Sequence, residues 1–209
     1  FFSQKKWDLK FYNELAGNEY IIYADNSEIM PMSVKFSFKM INLKSSIAND
    51  EIIVIPANTK RFLVAKITPL NAREGNQFSY TTTFNFGNAA QETFDEDYLY
   101  SLPFGKGKTH LIYQGYYGKF SHQKDAALDF DMKIGDPVYA AREGTVVLTE
   151  DSNLQGCPKI SCAKFNNKVL IMHNDGTFAD YAHLKYKGVA VKKGDEIKKG
   201  QLIGYSGNT

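Results

Sequence analysis

Met32-Ser33-Val34-Lys35-Phe36-Ser37-Phe38-Lys39-Met40 decides the fold class. Its even positions are all apolar and its odd positions are Ser or Lys, so a period of two runs through nine residues and predicts a half-buried β-strand. Phe78, Tyr80, Phe84 and Phe86 alternate with Ser79, Thr81, Thr83 and Asn85 in the same way. Between these two stretches, Ile52-Ile53-Val54-Ile55 and Phe62-Leu63-Val64-Ala65 read as short apolar strands, separated by Pro56, Pro69 and Gly75. Helical periodicity is almost absent, and many short strands with turns between them predict a small β-sandwich of the immunoglobulin-like type, running to about Phe94. The acidic stretch Gln91–Asp97 breaks the pattern. It sets an expected boundary between a β-sandwich accessory domain over 1–97 and a second domain over 98–209.

Composition agrees with a folded chain. Its 209 residues are 43% hydrophobic and 14% aromatic, far from the balance of a disordered segment. No apolar run reaches the ~18 residues that a membrane span needs. The chain opens at Phe1 without an initiator Met, so we expect a mature or trimmed piece, with room upstream for a leader or membrane anchor. Lys plus Arg against Asp plus Glu number 10 and 12 in residues 1–100, and 15 and 11 in 101–209. No basic and aromatic reader motif accompanies the mildly basic second half, which argues against nucleic-acid binding.

The second half carries a run of motifs in a fixed order. His122 and Asp129 lie in Ser121-His122-Gln123-Lys124-Asp125-Ala126-Ala127-Leu128-Asp129-Phe130, followed by Gly135-Asp136-Pro137-Val138. Asp175-Gly176-Thr177, Tyr181-Ala182-His183-Leu184 and Ser206-Gly207-Asn208-Thr209 come next. Together these resemble the M23 family of zinc metallopeptidases, the lysostaphin-like or LytM-like enzymes that cut peptidoglycan cross-links. The resemblance covers about residues 98–209 and implies a LytM-like β-sheet peptidase domain whose C-terminal part is missing. It also implies that His122 and Asp129 bind Zn2+. Asp129 is chosen over Asp125 and Asp131 because five residues separate it from Gly135, as in the family. Six residues separate His122 from Asp129, against three in the commoner family pattern, which implies a longer-spaced subtype. The family's third ligand is the last His of a His-x-His motif beyond the Ser-Gly-Asn-Thr turn, and it is not in this chain.

The missing ligand matters because catalytic zinc takes three protein ligands and keeps a fourth position for water, whose pKa it lowers to about 7. Two protein ligands make a weak site. By the same resemblance His183 is the catalytic histidine, hydrogen-bonding the attacking water or the oxyanion. Peptidoglycan is then the partner; the mildly basic second half is read first as lysines that solvate surface loops, and second as a face suited to an anionic wall polymer. The rival expectation, from a different function class, is a catalytically inactive M23-like module that binds cell wall or regulates a partner enzyme.

Four further features complete the reading. His173 ends an apolar run before Asn174-Asp175-Gly176, a hairpin signal, and is expected to shape that turn; His110 reads as an ordinary, partly exposed residue. Asn167 is either a support for the site or a turn asparagine. Cys157 and Cys162, the only cysteines, are close enough in sequence to form a disulfide in an oxidising compartment, which fits the periplasm or cell surface. Lys133-Ile134-Gly135-Asp136 and Lys193-Gly194-Asp195 repeat a turn before a strand, suggesting two related halves. A lipoyl or biotinyl carrier uses similar elements, but it needs a carrier lysine downstream of Lys199-Gly200-Gln201, whereas Met132-Lys133 lies upstream.

Overall fold

The computed structural model describes residues 7–119, 122, 123, 126–154, 156 and 165–209. Cys157 and Cys162, with their expected disulfide, lie outside the described residues. The chain divides into two compact units, Phe1–Phe94 and Asp95–Thr209. Both are built from strands.

In the first unit, β1 (Leu9–Ala16), β2 (Glu19–Asn26), β4 (Leu43–Ser45) and β6 (Thr59–Pro69) form an antiparallel sheet in the order β1-β2-β6-β4. A second sheet has the order β5-β3-β7, from β3 (Met32–Ile41), β5 (Ile53–Ile55) and β7 (Gln77–Phe86). Both contribute to one core: Ile22, Ala24, Leu43, Val64, Ala65 and Ile67 come from the first sheet, and Val34, Phe36, Phe38 and Ile55 from the second. This is a sandwich with the four-plus-three division of the immunoglobulin-like type, its smaller sheet centred on β3.

The alternation in β3 translates directly into burial. Val34, Phe36 and Phe38 are buried, while Lys35, Ser37 and Lys39 are exposed. Phe36 anchors the core, packing edge-on against Phe11 at 5.2 Å and stacking on Phe38 at 5.7 Å between ring centres. β3 and β7 pair without a register shift through ten residue pairs, from Met32↔Phe86 to Ile41↔Gln77. One expected inward residue departs from the pattern. Phe84 is 46% exposed, and among the described residues β7 is the outer strand of its sheet.

Among the described residues, the second unit holds three small sheets. β8 (Ile112–Gln114) pairs with β9 (Asp129–Phe130). The order β10-β16-β14 joins β10 (Pro137–Tyr139), β14 (Leu184–Val189) and β16 (Leu202–Ser206). The order β13-β12-β11-β15 joins β11 (Gly144–Glu150), β12 (Lys168–Met172), β13 (Phe178–Tyr181) and β15 (Glu196–Ile197). Val138, Val146, Val169, Ile171, Leu184, Ile197 and Ile203 make the core between these last two sheets.

The repeated turn is real and occurs three times. In Lys133–Asp136, Lys192–Asp195 and Lys198–Gln201, the fourth amide donates to the first carbonyl at 3.0, 3.1 and 3.0 Å. In each, the fourth side chain, Asp136, Asp195 or Gln201, accepts the first amide at 3.0 Å. The third residue is always glycine with φ of +94°, +95° or +78°, the left-handed geometry that a type II turn demands. Each turn launches a strand: β10, β15 and β16. The sequence pattern revealed two of these turns and missed the third, because Gln replaces Asp there.

Candidate active site

β9 places Asp129 on a two-stranded ribbon opposite Gln114 of β8. His122, in the connecting segment, is 8% exposed, and its Nε2 lies 3.4 Å from Asp129 Oδ1. Its Nδ1 is 3.2 Å from the Gly115 carbonyl, which can only accept; the Nδ1 therefore carries the proton and donates. Neutral His122 then turns an Nε2 lone pair toward a carboxylate. Two electron-rich atoms held that close call for a proton or a cation between them.

The donor set fits zinc. Zn–N near 2.05 Å and Zn–O near 2.1 Å at a tetrahedral angle put the two ligand atoms about 3.4 Å apart. The observed 3.4 Å matches this spacing. The surrounding groups hold the pair as ligands are usually held: a backbone carbonyl fixes the tautomer of His122, and Gln114 Nε2 donates to the other carboxylate oxygen, Oδ2, at 3.4 Å.

The Gly115 carbonyl is itself fixed by a tight turn. It also accepts the Gly118 amide at 3.2 Å, and Tyr117 within the turn has φ of +56°. A Cβ on Gly118 would lie 2.5 Å from Gln114 Cγ, so this glycine lets Gln114 reach toward Asp129. Sequence reasoning missed both Gln114 and Gly118, although the glycines flanking Tyr116-Tyr117 were a visible turn signal.

His183 sits elsewhere in the unit, exposed, in the turn between β13 and β14 with φ of +58°. Its Nδ1 donates to the Thr209 backbone oxygen, which leaves Nε2 with the lone pair. The carbonyl of His183 accepts the Gly207 amide at 2.8 Å, tying this turn to the segment after β16. Among the described residues, no group of three His, Cys, Asp or Glu side chains converges. The structure brings His122 and Asp129 together and does not join His183 to them.

Asn167 proves to be a brace. Fully buried, it donates from Nδ2 to the Asn153 carbonyl at 2.9 Å and the Leu184 carbonyl at 3.2 Å, and accepts the Asn153 amide at 2.9 Å. Its own amide donates to Thr209 Oγ1 at 3.0 Å. One asparagine thus fixes the residue after His183 and the segment to which His183 bonds.

The remaining histidines serve the framework. His110 Nδ1 donates to the Asp131 carbonyl at 2.9 Å, and its ring meets Phe104 edge-on at 4.7 Å. His173 closes the expected turn, its amide donating to Thr177 O at 2.8 Å while its carbonyl accepts the Gly176 amide at 2.9 Å. Its ring is buried, with Nδ1 2.6 Å from the Glu143 carbonyl. Burial lowers its pKa, and the nearby Arg142 guanidinium adds to that lowering.

Next to His173 is a cluster the sequence did not reveal. Arg142, 5% exposed, pairs with Asp175 at 2.8 Å, donates to the Tyr100 hydroxyl at 3.1 Å, and lies over the Tyr98 ring at 4.0 Å. The Tyr98 hydroxyl donates to Glu143 at 2.6 Å, and this bond to a carboxylate pushes the phenol pKa up to about 12. Burial works to raise the Asp175 pKa. The Thr177 hydroxyl and amide, the Asp95 amide and Arg142 outweigh it and hold the carboxyl well below the usual range.

Residues 123–209 match peptidase family M23. Three curated relatives show similarity. One is peptidoglycan DD-endopeptidase ShyA of Vibrio cholerae, 40% identical over 81 residues, 39% of this chain and 16% of that protein. Lysostaphin of Staphylococcus simulans is 40% identical over 84 residues, 39% of this chain and 15% of that protein. Glycyl-glycine endopeptidase ALE-1 of Staphylococcus capitis is 36% identical over 83 residues, 39% of this chain and 20% of that protein. The chain therefore spans only about a sixth to a fifth of the length of these relatives.

Proposed function

We propose that this protein is a zinc-dependent endopeptidase that hydrolyses peptide stems or cross-links of bacterial peptidoglycan in the periplasm or at the cell surface. The observation that carries the reading is the His122 Nε2 to Asp129 Oδ1 separation of 3.4 Å, with the His122 tautomer set by Gly115. The match of residues 123–209 to peptidase family M23 and the endopeptidase names of the relatives support the reaction class. Zinc held by His122, Asp129 and a third histidine beyond Thr209 would act as a Lewis acid toward the scissile carbonyl and lower the pKa of its water to about 7. Within this chain, Gln114 orients the Asp129 carboxylate. His183, its Nδ1 proton committed to Thr209, offers Nε2 to accept a proton from the attacking water or, once protonated, to hydrogen-bond the oxyanion.

A second reading, an inactive M23-like module that binds wall fragments, is favoured by the presence of only two converging donors among the described residues. One comparison separates the two. We expect the full-length protein to release soluble fragments from purified peptidoglycan, and the His122→Ala variant to lose both zinc binding and release. Unchanged zinc affinity in His122→Ala would sink the ligand assignment. Sedimentation with peptidoglycan without any release by the zinc-loaded wild type would favour the binding module.

A further inference from the structure

Residues 101–103 belong to no strand, yet they run beside β10. The Ser101 amide donates to the Ala141 carbonyl at 2.8 Å, and the Tyr139 amide donates to the Pro103 carbonyl at 3.0 Å. On the opposite flank, the Ala140 amide donates to the Gln201 carbonyl at 2.9 Å, and the Gly200 amide donates to the Ala140 carbonyl at 2.8 Å. Past Pro103 the chain folds back over residues 105–108, where the Lys108 amide donates to the Gly105 carbonyl at 3.1 Å and Gly107 has φ of +79°. Where these pieces meet is an open cleft of about 610 Å³, lined by Leu102, Phe104, Lys106, Lys108 and Tyr139 and reaching Gly200. That volume falls within the ~300–1,000 Å³ of small-ligand sites.

The walls are of two kinds. Phe104 is held edge-on by Phe130 at 5.4 Å between ring centres, and a Cβ on Gly105 would stand 4.0 Å from Tyr139 Cε2, so that ring lies along the loop backbone. Leu102 is 58% exposed and completes an apolar side. Facing solvent are Lys106 and Lys108; among the described residues neither has an ion pair or a side-chain hydrogen bond, and no carboxylate lines the cleft. Lys199, next to Gly200, donates to the Leu99 carbonyl and adds a third cation. The cleft is also distinct from the candidate ligands. Phe130 follows Asp129 in β9, so the two side chains take opposite faces, and Phe104 packs on the Phe130 side.

We propose that this cleft binds a free carboxylate of a peptidoglycan stem peptide, holding the charge between Lys106 and Lys108 and the adjoining carbon chain against Leu102, Phe104 and Tyr139. The choice of polymer rests on the endopeptidase reading; stem peptides carry free carboxylates beside small apolar side chains. The apolar walls favour a carboxylate on a carbon chain over inorganic phosphate, which has nothing to cover them. Holding one part of the polymer here raises the local concentration of its neighbouring bonds near His122 and Asp129.

The test is calorimetric titration of the full-length protein with uncross-linked muropeptides prepared with a muramidase. Both lysines are exposed, so Lys106→Gln with Lys108→Gln leaves the core untouched, and an unchanged urea midpoint checks this. That double variant should bind about tenfold more weakly, and raised salt should weaken the wild type more than the variant. Muropeptides whose carboxylates have been converted to carboxamides should bind both proteins alike, at the weaker level. Equal affinity of the two proteins for the native muropeptides, or the same tenfold difference with the amidated ones, would overturn the proposal. Release of fragments from cross-linked peptidoglycan is followed in parallel. Hydrolysis without any effect of the lysines removes the cleft and keeps the endopeptidase, whereas lysine-dependent binding without hydrolysis keeps the cleft and removes the endopeptidase.

Discussion

Replacing Asn167 with Ala removes the most connected polar side chain near His183. Two hydrogen bonds to the Asn153 backbone disappear, at 2.9 Å each, and with them the partners of the Asn153 amide and carbonyl. The Leu184 carbonyl loses a third bond but keeps the Thr209 hydroxyl at 3.0 Å. At about 1 kcal/mol for each net bond, with the half-buried Asn153 groups only partly rescued by water, the loss is about 2–3 kcal/mol. With a urea m-value of about 1.5 kcal/mol/M, that corresponds to a midpoint lowered by about 1.3–2 M. Equilibrium urea unfolding followed by circular dichroism measures it. Trp7 is the only tryptophan and packs on Phe86 at 6.3 Å, so its emission follows the first unit and serves as the internal control. Asn167→Asp should cost more at neutral pH, since it turns carboxylate oxygens toward two carbonyls. Burial raises the pKa of such an acid, so the folded state binds the extra proton and the deficit shrinks as pH falls. A midpoint change below about 0.3 M in Asn167→Ala, which is under about 0.5 kcal/mol, would refute the brace.

Three other outcomes follow from the same structure. Asp175 is held well below the normal carboxylate range, so its contribution to stability is present above the unfolded pKa of about 3.9 and is lost as pH falls below it; Asp175→Asn should flatten that acid limb in pH-dependent melts. At neutral pH the same variant strands the buried Arg142 charge and should cost about 3–5 kcal/mol by urea unfolding. His173, lowered by burial, takes up its proton more readily when unfolded, so stability should decline as pH drops below about 6.5, and His173→Leu should remove that slope. Gly118→Ala drives a methyl to 2.5 Å from Gln114 Cγ and should weaken zinc binding about tenfold in calorimetric titration, with the wild-type affinity refuting a role for Gln114.

Much of the fold was legible because burial in a strand is a one-dimensional signal. The period of two in Met32–Met40 and in Phe78–Phe86 announced two strands that pair through ten positions, and the Gly-Asp turns announced where strands begin. Phe84 shows the limit of that signal: periodicity says which face a side chain takes, whereas its coverage depends on whether another strand lies alongside. The motif order in the second half pointed to the M23 family, and register against Gly135 singled out Asp129, which the structure places 3.4 Å from His122. Gln114, Gly118 and the bracing by Asn167 were not readable, since each acts through a contact between segments whose separation in sequence carries no period.

By itself, then, the sequence determined the all-β class and the turns, because local dihedral preference and alternation are written residue by residue. Only the tertiary structure decided that His122 and Asp129 stand at the spacing of a tetrahedral pair, and that Arg142 and Asp175 are buried together. Those are distances across the fold, set by how the sheets pack around their cores.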